Sequence, residues 1–255
     1  MSEILLSTLD EGVLTLTLNR PERLNALSTA LLADLTRALD VGVRAGARAV
    51  LITGAGRAFC SGADLADGDG IGADLGDTLA TYYHPLFLRL AGLDIPVVSA
   101  INGPAVGAGV ALALAADIVV MARSAYLQLG FVNIALVPDA GATWLVAKSA
   151  GRSKALELAL LGEAMSAQEA QDAGLVARVA DDDAAGETAL ALARKLAQGP
   201  TRVIGMIRKQ VAAALHHSLP ETMSIEAANQ SAAGHSADFQ EGVAAFREKR
   251  APRFQ

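Results

Sequence analysis

Between Asp94 and Asp117 the chain runs from Ile95 to Ala116 without a single charge. A segment this apolar and this long either crosses a bilayer or is buried inside protein. Its interior argues for burial. Ile95-Pro96-Val97-Val98-Ser99-Ala100-Ile101 is a β-branched run, Asn102-Gly103-Pro104 breaks it, and helix formers resume at Val110 after Gly107 and Gly109. Neither end carries the Lys, Arg or aromatic anchors of a membrane span. The stretch reads as a buried strand, a glycine turn and a buried helix. Glycines let main-chain N–H groups approach a ligand, and the first amides of a helix have no internal partner. Such a turn can receive negative charge on oxygen, or it can simply let helix and sheet pack closely. The segment alone leaves both open.

With 255 residues, 52% of them hydrophobic and 19% charged, the chain can bury a large core as one domain with an appendage. A net charge of −6 and the lack of a basic stripe with interleaved aromatics argue against nucleic acid. Cys60 is the single cysteine, so there is no internal disulfide. Met1-Ser2-Glu3-Ile4 lacks the regions of a signal peptide, and the expected location is a reducing cytoplasm. An anionic ligand would have to be met locally, by Arg20, Arg23, Arg57, Lys249, Arg250 or Arg253.

Ile4 to Leu9 and Val13 to Leu18 predict a hairpin across Asp10-Glu11-Gly12. Leu31, Leu32, Leu35 and Leu39 predict a helix capped by Ser28 or Thr29, and Ala49 to Thr53 a strand. Strands alternating with helices imply a mostly parallel sheet, hence an α/β fold. Residues Ala66 to Asp77, rich in Gly and Asp, predict a mobile loop placed as a lid. Thr78 to Leu90 reads as helix with His84-Pro85 near its start, Leu156 to Leu161 as a short helix, and Ser166-Ala167-Gln168-Glu169 as a capping box. Beyond Asp181-Asp182-Asp183 the pattern is helical, broken at Gly199-Pro200 and Leu219-Pro220. Its apolar faces need a partner. The division expected is a core over residues 1–195 and a helical region over 196–255.

Three pieces together resemble the crotonase superfamily, the enoyl-CoA hydratase/isomerase family. They are Phe59-Cys60-Ser61-Gly62-Ala63-Asp64-Leu65, then Ile101-Asn102-Gly103 through Gly107-Ala108-Gly109 to Ala116-Asp117-Ile118, and Glu241-Gly242-Val243-Ala244-Ala245-Phe246 with Arg247-Glu248-Lys249-Arg250-Ala251-Pro252-Arg253-Phe254. Asn19-Arg20-Pro21 with Leu24-Asn25-Ala26-Leu27 fits the same pattern. The resemblance implies a spiral of ββα units, a C-terminal helical region that builds trimers or dimers of trimers, and an acyl-CoA thioester as substrate. No resident cofactor is implied, since coenzyme A arrives as part of the substrate. It further implies an oxyanion hole made by the N–H groups of Ala63 and Ala108. Arg23, Leu24, Ala26, Ala63, Asp64 and Leu65 match stretches along CoA, while Phe246 and Lys249 match positions that can reach a neighbour's CoA.

Hydratases of this family carry two glutamates that manage a water. The matching positions here are Ala111 and Phe131, both apolar. The carboxylate on offer is Asp139, in Val137-Pro138-Asp139-Ala140-Gly141. By itself Asp139 reads as a helix N-cap. In the family context it resembles the acid/base of the epoxyphenylacetyl-CoA isomerase branch. A single carboxylate suits a 1,3-proton shift, which moves a double bond from 3-enoyl-CoA to 2-enoyl-CoA without water. The alternatives are a hydratase that recruits Asp139 for water, a dehalogenase using Asp139 with His84, and a binding protein whose chemistry has decayed. Cys60 reads as a buried thiol, and His216, His217 and His235 show no metal-ligand spacing.

Overall fold

The computed structural model describes residues 3–65 and 74–255. The expected lid, Ala66 to Asp77, therefore lies largely outside the described residues, and its last residues, from Asp74 on, enter a helical turn (α2, Leu75–Thr78) capped by the Asp74 carboxylate.

The hairpin forms as expected, with β1 (Leu5–Asp10) antiparallel to β2 (Val13–Leu18). Helix α1 (Thr29–Arg44) follows, its first turn closed by the Ser28 side chain, which accepts from Leu31 N–H at 3.2 Å. Leu31, Leu32, Leu35 and Leu39 make its buried face. Strand β3 (Ala49–Gly54) then pairs parallel with β2. A π-turn over Leu79–Tyr83 connects α2 to α3 (His84–Ala91), so the expected helix is present with one wide turn in it. The uncharged stretch supplies β4 (Val97–Ile101), the short β5 (Ala105–Val106) and α4 (Ala108–Leu114), every residue of which is buried.

Beyond it come β6 (Ile118–Ala122), β7 (Tyr126–Gln128) and a 3-10 turn over Phe131–Ile134. The expected short helix at Leu156 is the last part of a longer one, α5 (Ala142–Leu161), broken at Gly151 where φ is 78°. Strands β8 (Ala164–Ser166) and β9 (Arg178–Ala180), three residues each, flank α6 (Ala167–Asp172) and its capping box. They are too short to show as a period of two. Four helices close the chain: α7 (Ala185–Ala197), α8 (Thr201–Ala214), α9 (Leu219–Gly234) and α10 (Ala237–Glu248).

The main sheet runs β1-β2-β3-β4-β6-β9, parallel except for the opening hairpin, and a second sheet runs β5-β7-β8. A bridge between Cys60 and Ala105 joins the segment after β3 to this second sheet. Helix α7 lies across β3, β4 and β6, burying Ala185, Ala189, Ala193 and Ala197. Small residues every fourth position let it lie close to the sheet. Helix α8 is held by Arg208, whose Nε donates to both oxygens of Asp117 at 2.7 and 2.6 Å and whose Nη atoms donate to the carbonyls of Leu93 and Leu90. By contrast α9 buries no residue and leaves Leu219 and Met223 exposed. No helix among the described residues is long and apolar enough to cross a membrane.

Candidate active site

The loop after β3 crosses next to the start of α1. Leu27 N–H donates to the Gly62 carbonyl at 2.7 Å and Asp64 N–H to the Leu27 carbonyl at 3.1 Å, a parallel bridge centred on Leu27 and Ala63. In that pattern the N–H of Ala63 points away from Leu27, and it has no partner among the described residues. Ala108 opens α4, where its N–H is equally free of an internal partner. The two donors belong to one spot, because a Cβ added to Gly62 would stand 3.4 Å from Ala108 N and 2.8 Å from the Val106 carbonyl oxygen. Gly62, at φ 91°, and Gly107, at φ 55°, hold backbone shapes that a side chain would strain. Gly109 lets α4 close down on Cys60.

Behind these amides is a side-chain frame. Arg20 pairs with Asp64 at 2.7 Å, both nearly buried at 14% and 7% exposure, and donates to the Ala26 carbonyl at 2.7 Å. The buried Asn25 accepts from Arg20 N–H and donates to the carbonyls of Ala55 and Ala58. Arg20 is thus committed to Asp64 and is no free receptor for a ligand anion. Arg250, another such candidate, is committed to Glu241 and Glu248.

Asp139 is not the cap of α5. Gly141, at φ 86°, occupies the N-cap position, and the Ala142 N–H is taken by the main-chain carbonyl of Asp139 at 2.8 Å. Its carboxylate is left over: Oδ1 is buried with no hydrogen-bond partner. Burial pushes this carboxyl up to about 6, against the opposing pull of His84. Tyr83 is buried and close enough to feel its charge. Its hydroxyl reaches the Leu27 carbonyl at 3.4 Å, and burial together with the negative charge of Asp139 pushes the phenol up. Sequence reading missed Tyr83, since a tyrosine in an apolar helix carries no mark of its own. The π-turn turns Tyr83 toward the Ala63 loop, and His84 follows it.

A profile of the Enoyl-CoA hydratase/isomerase family matches residues 8–255. The chain belongs to that family. It is 45% identical over 259 residues to the 1,2-epoxyphenylacetyl-CoA isomerase of Escherichia coli strain K12, covering 100% of this chain and 99% of that one. To the 2,3-dehydroadipyl-CoA hydratase of the same strain it is 36% identical over 256 residues, covering 100% and 99%. The crystal structure of the enoyl-CoA hydratase from Bacillus anthracis superposes with a TM-score of 0.93 at 32% identity, covering 98% of both chains. The fold is therefore the crotonase α/β fold with its helical C-terminal region, and relatives of this enoyl-CoA hydratase/isomerase family member include an isomerase and hydratases alike.

The two positions matched to hydratase glutamates carry apolar side chains: Ala111 is buried one turn into α4 from Ala108, and Phe131 is buried with Cζ near Gly107. Of the residues matched to CoA, Leu24, Ala26, Ala63 and Asp64 come together, because Ser61 N–H also bonds the Leu24 carbonyl. Arg23 and Leu65 are exposed beside them. Phe246, 85% exposed, lines a different groove with Val203, Phe239 and Phe254, and Lys249 ends α10 in a left-handed turn, so neither joins the site within this chain. Cys60 is fully buried and its thiol is pushed up to about 12 by burial, which leaves it no thiolate for chemistry.

Proposed function

We propose that this protein moves the double bond of an acyl-CoA thioester, with Asp139 as the single acid/base. The observation that carries the reading is the buried, unpartnered Oδ1 of Asp139 in a site with no second carboxylate at position 111 or 131. Asp139 removes a proton from C2 of a 3-enoyl-CoA, and the C3=C4 π electrons become part of a dienolate. The N–H groups of Ala63 and Ala108 hold the dienolate oxygen as charge develops there, and one such donor typically lowers a barrier by about 3 kcal/mol. The same carboxyl returns the proton at C4, giving the 2-enoyl ester. A raised carboxyl is a better base toward carbon than an ordinary aspartate and still ionised at neutral pH. The likeness to an epoxyphenylacetyl-CoA isomerase supports isomerisation of a ring-derived thioester by the same groups. Exposed Leu219, Met223, Phe239 and Phe246 on α9 and α10 support assembly into a homo-oligomer through those helices.

The test is incubation with a 3-enoyl-CoA and, separately, a 2-enoyl-CoA, using wild type and Asp139→Asn, with products resolved by chromatography. Conversion of the 3-enoyl to the 2-enoyl ester, lost in the variant and without hydroxyacyl product, is the expected result. Hydroxyacyl-CoA formed from the 2-enoyl ester would instead identify a hydratase that uses Asp139 and water.

A further inference from the structure

Tyr83 begins a stripe that Leu86 and Leu90 continue along α3, and all three are buried. Packing there asks for a ring, which phenylalanine would supply. The hydroxyl is the part left to explain, because a polar group buried among apolar ones is unfavourable unless it is well bonded. This one is not. Its one bond among the described residues goes to the Leu27 carbonyl at 3.4 Å, against about 2.7 Å for an ordinary O–H···O bond. That carbonyl already accepts Asp64 N–H at 3.1 Å. Burial and the nearby charge of Asp139 keep the phenol protonated, so what it offers is a neutral O–H.

Its place gives this donor a use. Leu27 is the bridge partner of Ala63, which carries one of the two amides, and Asp139 is the first among the charges that the phenol feels. The hydroxyl is thus close to both ends of the chemistry. A plain 3-enoyl ester has one oxygen on its acyl part, the thioester carbonyl, and two amides already receive it. A further donor calls for a further acceptor, and an ionised Asp139 nearby requires that acceptor to be neutral. We propose, on the basis of the function given above, that the Tyr83 hydroxyl is a third hydrogen-bond donor of this site and receives a second oxygen on the acyl group. The substrate is then an acyl-CoA that bears a ketone, ether or epoxide oxygen a few bonds from C2. Held at that oxygen, the acyl group cannot rotate freely about its bond to C2, and a C2 hydrogen stays turned toward Asp139. The acyl group in the name of the Escherichia coli isomerase, 1,2-epoxyphenylacetyl, bears such an oxygen.

Calorimetric titration of the whole protein compares (2-oxocyclohexyl)acetyl-CoA with cyclohexylacetyl-CoA, which differ by one neutral acceptor oxygen. Neither carries a double bond to move, so affinity is read without turnover. Wild type is expected to bind the oxo ester about tenfold more tightly, and Tyr83→Phe, which keeps the ring, to bring the two affinities within about twofold of each other. An oxo ester bound no more tightly by wild type overturns the proposal, as does a preference that survives in Tyr83→Phe. A preference lost in His84→Gln instead gives the oxygen to His84, and overturns it too. If the phenylalanine variant fails to fold, Tyr83→3-fluorotyrosine, a stronger donor, takes its place: a wider ratio supports the proposal and an unchanged one overturns it. Turnover of 3-hexenoyl-CoA is measured alongside. A wild type inactive on that ester sinks the double-bond shift, while the ratio of affinities still decides the role of Tyr83.

Discussion

Gly109 lies directly on Cys60: a Cβ added to the glycine would stand 2.9 Å from Cys60 Cβ and closer still to the Cys60 carbonyl oxygen. Both contacts are to fixed atoms of a fully buried residue two positions before Gly62. Gly109→Ala must therefore move α4 away from the Ala63 loop. It is expected to cost roughly 2 kcal/mol of stability by overpacking, read from the urea midpoint, and to lower kcat because the two amides separate. Gly186→Ala in α7, where an added Cβ meets nothing within 4 Å, should instead stabilise by about 0.5 kcal/mol.

The activity should titrate with Asp139. A base must be ionised, so kcat/KM for the 3-enoyl ester should rise with pH and level off above an inflection near the value of about 6 imposed by burial. Because His84 pulls this carboxyl down, His84→Gln should shift the inflection to higher pH. A profile flat from pH 5 to pH 8 would remove Asp139 from the proton transfer.

Stability should move the other way. The folded carboxyl sits at about 6 against 3.8 for the free group, so below pH 3.8 its ionisation costs nothing. Between those values the unfolded chain releases a proton that the folded chain keeps, and stability falls as pH rises. Above about 6 the full penalty is present. Allowing for partial contact with solvent, Asp139→Asn should stabilise the fold by about 1.5 kcal/mol at pH 8 and by little at pH 4, measured by denaturant titration at both.

Breaking the Arg20–Asp64 pair should be expensive, since both partners are nearly buried. Arg20→Gln leaves Asp64 charged without that partner and is expected to cost about 3 kcal/mol. Asp64→Asn in the same chain should recover part of the loss, and thermal unfolding of the two single variants and the double variant measures the coupling.

Much of this was legible in the chain itself. The uncharged stretch from Ile95 to Ala116 carries strand, turn and helix in the order found, because its glycines and Asn102-Gly103-Pro104 act through local backbone preference. Ser28 and Ser166 announce their helices for the same reason: a cap is a contact between near neighbours. What escaped were relations at long range. Nothing near Arg20 says that Asp64 will claim it, nor does anything near Arg208 announce Asp117. Asp139 looked like a cap because Pro-Asp before an Ala-rich run usually is one. Gly141 takes the cap in its place by adopting φ 86°, a choice open to glycine and unreadable until the turn is built.

The two amides at Ala63 and Ala108 have one more consequence. Neither donor is a side chain, so no exchange of the residue on either position, short of proline, can take it away. A single base change can erase Asp139, but disarming the amides requires the chain itself to take another path, through Gly62, Gly107 or Gly109. Under the function proposed above, descendants of this gene can therefore try new carboxylates at 111, 131 or 139 while inheriting both amides unchanged, and a new chemistry needs only one new residue at a time.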